Sequence, residues 1–221
     1  MPIVKCEKVS KVYHLDKVEV IALKEVDFCI EEKDFVCIMG PSGSGKTTLL
    51  NLIGCIDVPT SGKVLVHGKE TALMSDDELS EFRNKTIGFI FQSFNLIPVL
   101  NVYENVEYPL VLGRQKVDKE WLYYLIERVG LMNYIKHKPD ELSGGQRQRV
   151  AIARALAAKP LLVIADEPTA NLDSKTGEAI VDLLLELNRE KGTTFIFSTH
   201  AEALAKHAKR VLHISDGILC E

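Results

Sequence analysis

Apolar residues fall along this chain in runs that differ in length and in what closes them. Residues 35–39 (Phe-Val-Cys-Ile-Met) and 161–165 (Leu-Leu-Val-Ile-Ala) are unbroken apolar runs, followed by glycine and by an acidic pair respectively. Runs too short for a helix and without polar interruption predict strands buried on both faces. Strand-like runs also occur within residues 3–38, over 18–30 and over 62–67, as expected of an antiparallel β subdomain. Ser75-Asp-Asp-Glu78 has the spacing of a capping box and predicts a short helix. From about residue 93 to 140 the character changes to helical, with helix-like stretches at 101–104 and 118–129 and Gly130 as a stop signal. Beyond it, strand and helix alternate over 161–165, 174–190, 194–198, 201–208 and 210–214. That alternation predicts an α/β fold with a mainly parallel sheet and helices on both faces. No repeat, linker or low-complexity tract divides the chain, so residues 1–221 are expected to form one domain.

The apolar run at 35–39 leads into Gly40-Pro41-Ser42-Gly43-Ser44-Gly45-Lys46-Thr47-Thr48, and residues 47–56 are compatible with a helix. A glycine-rich turn between strand and helix lets several N–H groups converge on phosphate at a helix N-terminus, and side chains at Gly40, Gly43 or Gly45 would hinder that approach. Lys46 brings a positive charge to the β- and γ-phosphates, and the Thr47 hydroxyl is placed to ligate Mg²⁺. The expectation is a P-loop nucleotide site for ATP.

Asp166-Glu167-Pro168 closes the run at 161–165. Pro168 biases Glu167 toward an extended backbone, where successive side chains diverge. Asp166 is the candidate for the Mg²⁺ shell and Glu167 for polarising the attacking water. A second anion site is written at Leu142-Ser143-Gly144-Gly145-Gln146, ahead of a helix-forming stretch at 147–158: Ser143 can cap the helix and the glycines expose its free N–H groups. Since one P-loop already serves this chain, the second site is expected to meet the γ-phosphate of an ATP held by another copy.

With these motifs in order, the chain resembles an ATP-binding cassette (ABC) ATPase over essentially its whole length. The resemblance implies a P-loop NTPase core with an N-terminal antiparallel β subdomain and a helical insert. It also implies a homodimer closing on two Mg-ATP, coupled to separate transmembrane permease subunits. By it, Tyr13 stacks on adenine, its ring needed and its hydroxyl not. Gln92 senses Mg²⁺, Asp173 supports the dimer seam and His200 contacts the γ-phosphate. Taken singly, Tyr13 could be a strand-surface aromatic, Gln92 a polar strand end and His200 a loop histidine. Residues 53–62 and 87–96 look like those of the LolD, MacB and FtsE group; MacB proteins add a membrane segment, which makes LolD the nearer expectation. One departure is Ala201, where many relatives carry Asp.

Composition adds limits. A net charge of −4 argues against a broad nucleic-acid surface. No apolar run approaches the ~20 residues of a membrane span, and the N-terminus lacks a signal-peptide core. The 5 cysteines are scattered, as free thiols of a reducing cytoplasm would be. The expected location is cytoplasmic, peripheral on the membrane through the permease. The competing class is a soluble assembly ATPase of the Fe–S cluster type. A P-loop kinase would leave Leu142–Gln146 and His200 unexplained. Cargo is not legible here, since function does not follow from fold.

Overall fold

The computed structural model describes residues 2–15 and 18–220; Met1, Asp16, Lys17 and Glu221 lie outside it. In chain order the strands are β1 (Pro2–Leu15), β2 (Val18–Glu31), β3 (Phe35–Met39), β4 (Ser61–Val66), β5 (Lys69–Glu70), β6 (Ile87–Ile90), β7 (Leu162–Ala165), β8 (Thr194–Thr199), β9 (Arg210–Ser215) and β10 (Ile218–Cys220). The helices are α1 (Lys46–Ile53), α2 (Asp76–Thr86), α3 (Val102–Leu112), α4 (Lys119–Arg128), α5 (Gly144–Leu156), α6 (Ser174–Lys191) and α7 (Glu202–Ala205).

The central sheet runs β10-β9-β3-β8-β7-β6. Its pairs are parallel except for β9 with β10. The unbroken apolar runs have a direct physical reason. Phe35 and Cys37 enter one core while Val36 and Ile38 enter another; Val163 and Ala165 separate from Leu162 and Ile164 in the same way. A strand covered on both faces has no polar position to offer. The first core takes the buried faces of α3, α4, α5 and α6. The second lies under α1 and an antiparallel sheet of order β2-β1-β4-β5. The α/β class, the antiparallel subdomain and the helical insert are therefore as the sequence predicts. The strand-like reading of 3–38 includes Asp16 and Lys17, which fall outside the described residues.

Several boundaries differ. The helix predicted over 47–56 ends at Ile53: Gly54 leaves the helical angles at ψ +1, Cys55 turns to φ +56, and the glycine is required because a Cβ there would lie 2.4 Å from the Phe89 ring. The helix predicted over 201–208 is only α7: Ala201 at its N-cap provides no side-chain acceptor, so its start is left without that support. The predicted runs do not include the short strands β5, β6 and β10. Strand β6 carries Gly88, where a Cβ would come 2.2 Å from Ala155 O; the glycine lets α5 lie directly on the sheet edge. The capping box at Ser75 is formed with Glu78, and Gly130, at φ +73, follows the end of α4.

Candidate functional site

Helix α1 starts at the end of the glycine-rich turn. Its N-cap is Gly45, at φ +106, and no side chain caps it. The first-turn N–H groups of such a helix favour an anion. The glycines are required for different reasons. A Cβ on Gly40 would stand 2.1 Å from Ile214 O of β9, a clash, whereas at Gly43 it would meet nothing within 4 Å and only the backbone angle of +78° selects glycine. Ser44 is buried inside the turn and its Oγ has no hydrogen-bond partner among the described residues. A buried orphan hydroxyl beside an uncapped helix start fits a phosphate oxygen. The buried Lys46 directs its ammonium to Gly40 O at 2.9 Å, to Pro41 O at 3.0 Å and to Glu167 Oε1 at 3.6 Å.

The end of β7 faces this turn. Thr47 Oγ1 donates to Asp166 Oδ2 at 2.9 Å, and Ser198 Oγ donates to Asp166 Oδ1 at 2.7 Å. Ser198 in turn accepts the Glu167 N–H at 2.8 Å. Glu167 is not extended as predicted: its φ is +46. Pro168 closes the right-handed helical region to it, and the bond to Ser198 holds it on the left-handed side, where a non-glycine residue stores about 1–3 kcal/mol. The two carboxylates still diverge. Glu167 lies between Lys46 and His200, whose Nδ1–H donates to Oε2 at 2.8 Å. The hydroxyl of Thr47 and the carboxylate of Asp166 are hard oxygen donors suited to Mg²⁺. Among the described residues no group of three His, Cys, Asp or Glu side chains could hold a metal. A cation here would complete its shell with phosphate and water, as Mg²⁺ commonly does.

The Ser143 turn is built otherwise. Ser143 Oγ accepts the Gln146 N–H at 3.3 Å and Gln146 Oε1 accepts the Ser143 N–H at 2.8 Å, a reciprocal box at the start of α5. Its glycines lie against the start of α6 and the residues before it: a Cβ on Gly144 would be 3.5 Å from Leu172 Cδ2, and one on Gly145 would be 2.9 Å from Thr176 Cγ2. Asp173 caps α6 through the Thr176 N–H at 3.1 Å. Asn171 Nδ2 donates to Gln92 O at 2.8 Å, tying the exposed Gln92 to the same segment. Asp173, Glu167 and His200 line one cavity of about 270 Å³. Among the described residues, no hydrogen bond or ion pair joins residues 143–146 to residues 40–48.

A family model described as ABC transporter matches residues 23–170. The chain belongs to this family. It is an ATP-binding cassette and an ATPase. The cassette is 47% identical to the ABC transporter ATP-binding protein MJ0796 of Methanocaldococcus jannaschii, over 97% of this chain and 94% of that one. It is 42% identical to the lipoprotein-releasing system ATP-binding protein LolD of Idiomarina loihiensis, over 98% and 96%. A dimeric structure of MJ0796 in a post-hydrolysis state, bound to ADP and Pi, superposes with a TM-score of 0.91 at 46% identity, covering 99% of this chain and 97% of that one.

Other parts of the cassette site were not legible in sequence. Ser198 is one; the available signal is a serine near the end of a buried strand, directly after Phe195-Ile196-Phe197. Arg154 is another. It donates from α5 to the carbonyl oxygens of Phe94 and Asn95, both at positive φ, and so holds the segment that follows Gln92. Burial pulls the Arg154 pKa down. Tyr13 lies on β1, half-buried, with Thr48 of the phosphate turn beside its hydroxyl. A cavity of about 1080 Å³ is away from the phosphate turn, between α2, β6 and α3, and is lined by Phe89, Phe91, Tyr108, Leu112, Arg114 and Arg154 among others.

Proposed function

We propose that this cassette is the nucleotide-binding subunit of a membrane transporter, that two copies close on two Mg-ATP, and that each ATP is cut with Glu167 as the base. The observation that carries this is the position of Glu167 between Lys46 and His200, beside Asp166 and Thr47. Lys46 would exchange its contact with Glu167 for the β- and γ-phosphates, freeing the carboxylate to take a proton from the attacking water. Thr47 and Asp166 would hold Mg²⁺, which supplies charge neutralisation to the phosphates, with Gln92 near its shell. His200 would donate to the γ-phosphate and Tyr13 would stack on adenine. Residues Ser143–Gln146 would close on the ATP of the other copy, with Asp173 at the seam. The separation of the two motifs within one chain supports this arrangement, as does the dimeric MJ0796 structure. Light scattering of Glu167→Gln tests it: ATP, but not ADP, should convert monomer to dimer. Equal dimer content with both nucleotides would refute the shared site.

The partner is proposed to be a transmembrane permease engaged at the cytoplasmic face of a membrane; relatives named as ABC transporter ATP-binding proteins, MJ0796 among them, support this reading. Among the described residues no helix is long and apolar enough to cross a membrane. The family resemblance implies that a membrane subunit's cytoplasmic helix docks on the apolar run 94–100, with Leu100 as an exposed position, but of this run only Asn95 lines the large groove. Asn105 explains why: its side chain bonds the carbonyls of Ile97, Leu100 and Asn101, folding this run onto the start of α3. Leu100 is half-buried and is not the exposed position expected. Leu112 is 66% exposed and lines the groove. Leu112→Asp should leave ATP binding intact and remove the cassette from the membrane fraction. A wild-type protein that never sediments with membranes, with a soluble main partner, would return the reading to an assembly ATPase.

A further inference from the structure

Lys11 is a buried cation on β1 with no place in the mechanism above. Its ammonium lies 2.6 Å from Asp57 Oδ1 and donates to Val58 O at 2.8 Å. Asp57 Oδ1 also accepts the Val58 N–H at 2.7 Å, while Oδ2 accepts the Tyr13 hydroxyl at 2.9 Å. Lys11 and Tyr13 are two residues apart on one strand, so their side chains share a face and a single carboxylate reaches both. The Lys11 ammonium stands 4.9 Å from the Tyr13 ring centroid, a cation–π contact. Asp57 is itself fixed: the N–H groups of Ile56 and Asp57 bond Asn51 O, at 2.9 and 3.3 Å, just past the end of α1. The tyrosine hydroxyl is therefore tied to the far end of the helix whose first turn forms the phosphate site.

A charge pair withdrawn from water contributes little to stability in itself, because desolvation offsets the attraction. Its effect here is geometric. Both rotatable bonds of the Tyr13 side chain are set by the hydroxyl, tied to Asp57 with Thr48 beside it, and by one cation against the ring. Resting on the reading of Tyr13 as the adenine platform, we infer that Lys11 and Asp57 are positioning residues for nucleotide binding, holding the ring at the angle at which the base meets it. The hydroxyl is then needed as well as the ring. Burial raises the Asp57 pKa, but the bonds from Lys11, Val58 and Tyr13 outweigh it, so the carboxyl is held below its ordinary range and stays ionised at neutral pH.

Titration with Mg-ADP and with Mg-tripolyphosphate, which has no base, separates this role from scaffolding. Asp57→Asn leaves one amide oxygen for donors that had a whole carboxylate. It should weaken ADP about five- to tenfold, the scale of re-ordering one side chain on binding, and change tripolyphosphate by less than about twofold. Tyr13→Phe should do the same, and the double variant should be no weaker than either single one. Equal losses for both ligands would place Asp57 in the scaffold of the phosphate turn and overturn the inference; so would unchanged ADP affinity. A wild-type cassette binding Mg-ATP no better than Mg-tripolyphosphate, which has the same three phosphates, would instead remove Tyr13 as a base platform, and this inference with it.

Discussion

Two helices of this cassette begin at glycine-rich turns, and they begin in opposite ways. Helix α1 has no side-chain cap, a buried Ser44 hydroxyl beside it that is unpaired among the described residues, and a lysine folded back onto the turn. Helix α5 is capped on both sides of its first turn by Ser143 and Gln146, with Ser143 exposed. An uncapped, half-enclosed start holds its donors for an anion brought to it. A capped, exposed start is stable without one and can meet an anion held elsewhere. The difference fits a division of labour: one turn binds the nucleotide within the chain, and the other recognises it across a seam. The side chains proposed to move protons cluster at the first turn, while Asp173 and the link from Asn171 to Gln92 gather at the second.

The largest expected effect is chemical. Glu167→Gln should keep ATP binding and lose turnover by about 10²–10⁴-fold, the scale of a general base; phosphate release measures it. Turnover near wild type would break the assignment of chemistry to the α1 side. Next comes affinity. Lys46→Ala removes a charge-assisted contact and should weaken ATP by about 10–100-fold, whereas Ser143→Arg should leave monomer affinity within about twofold yet abolish the ATP-dependent dimer. If both variants weakened monomer binding alike, the two turns would not be distinct sites.

Smaller effects sharpen the same contrast through stability. Gly40→Ala sets a methyl against Ile214 O and should cost about 1–3 kcal/mol in chemical denaturation. Gly144→Ala makes only ordinary contact with Leu172 and should cost about 1 kcal/mol or less, so any loss of its activity would report on the seam. The smallest effect concerns α7. Ala201→Asp restores an acceptor at its N-cap and should stabilise by about 0.5–1 kcal/mol; a change below the error of the melting curve would show that the cap does not limit this helix.

Much of the site was written locally. The turn at 40–48, the pair Asp166-Glu167 and the cap at Ser143 each rest on a few consecutive residues whose backbone needs are strong, and the structure forms the turn and the cap where the sequence predicts them, Gln146 adding a reciprocal bond that was not predicted. Glu167 shows the limit of local reasoning. Its proline neighbour excludes one backbone region but does not choose between the two that remain; Ser198, thirty-one residues away, makes that choice. The same holds at Leu100, whose exposure was set by Asn105 and not by its own apolar character.

By itself the sequence determined the alternation of strand and helix, the two cores on either side of the sheet and the types of group available to phosphate and metal. Periodicity and turn chemistry act over neighbouring residues, and nothing distant is needed to read them. The tertiary structure decided which groups meet. It placed His200 against Glu167, Ser198 between Asp166 and Glu167, Arg154 under the segment after Gln92, and Lys11 and Asp57 around Tyr13. Each of these is a contact between elements brought together by burial of apolar surface, and burial is indifferent to which polar side chains arrive at its edge. Those pairings exist only once the sheet has closed.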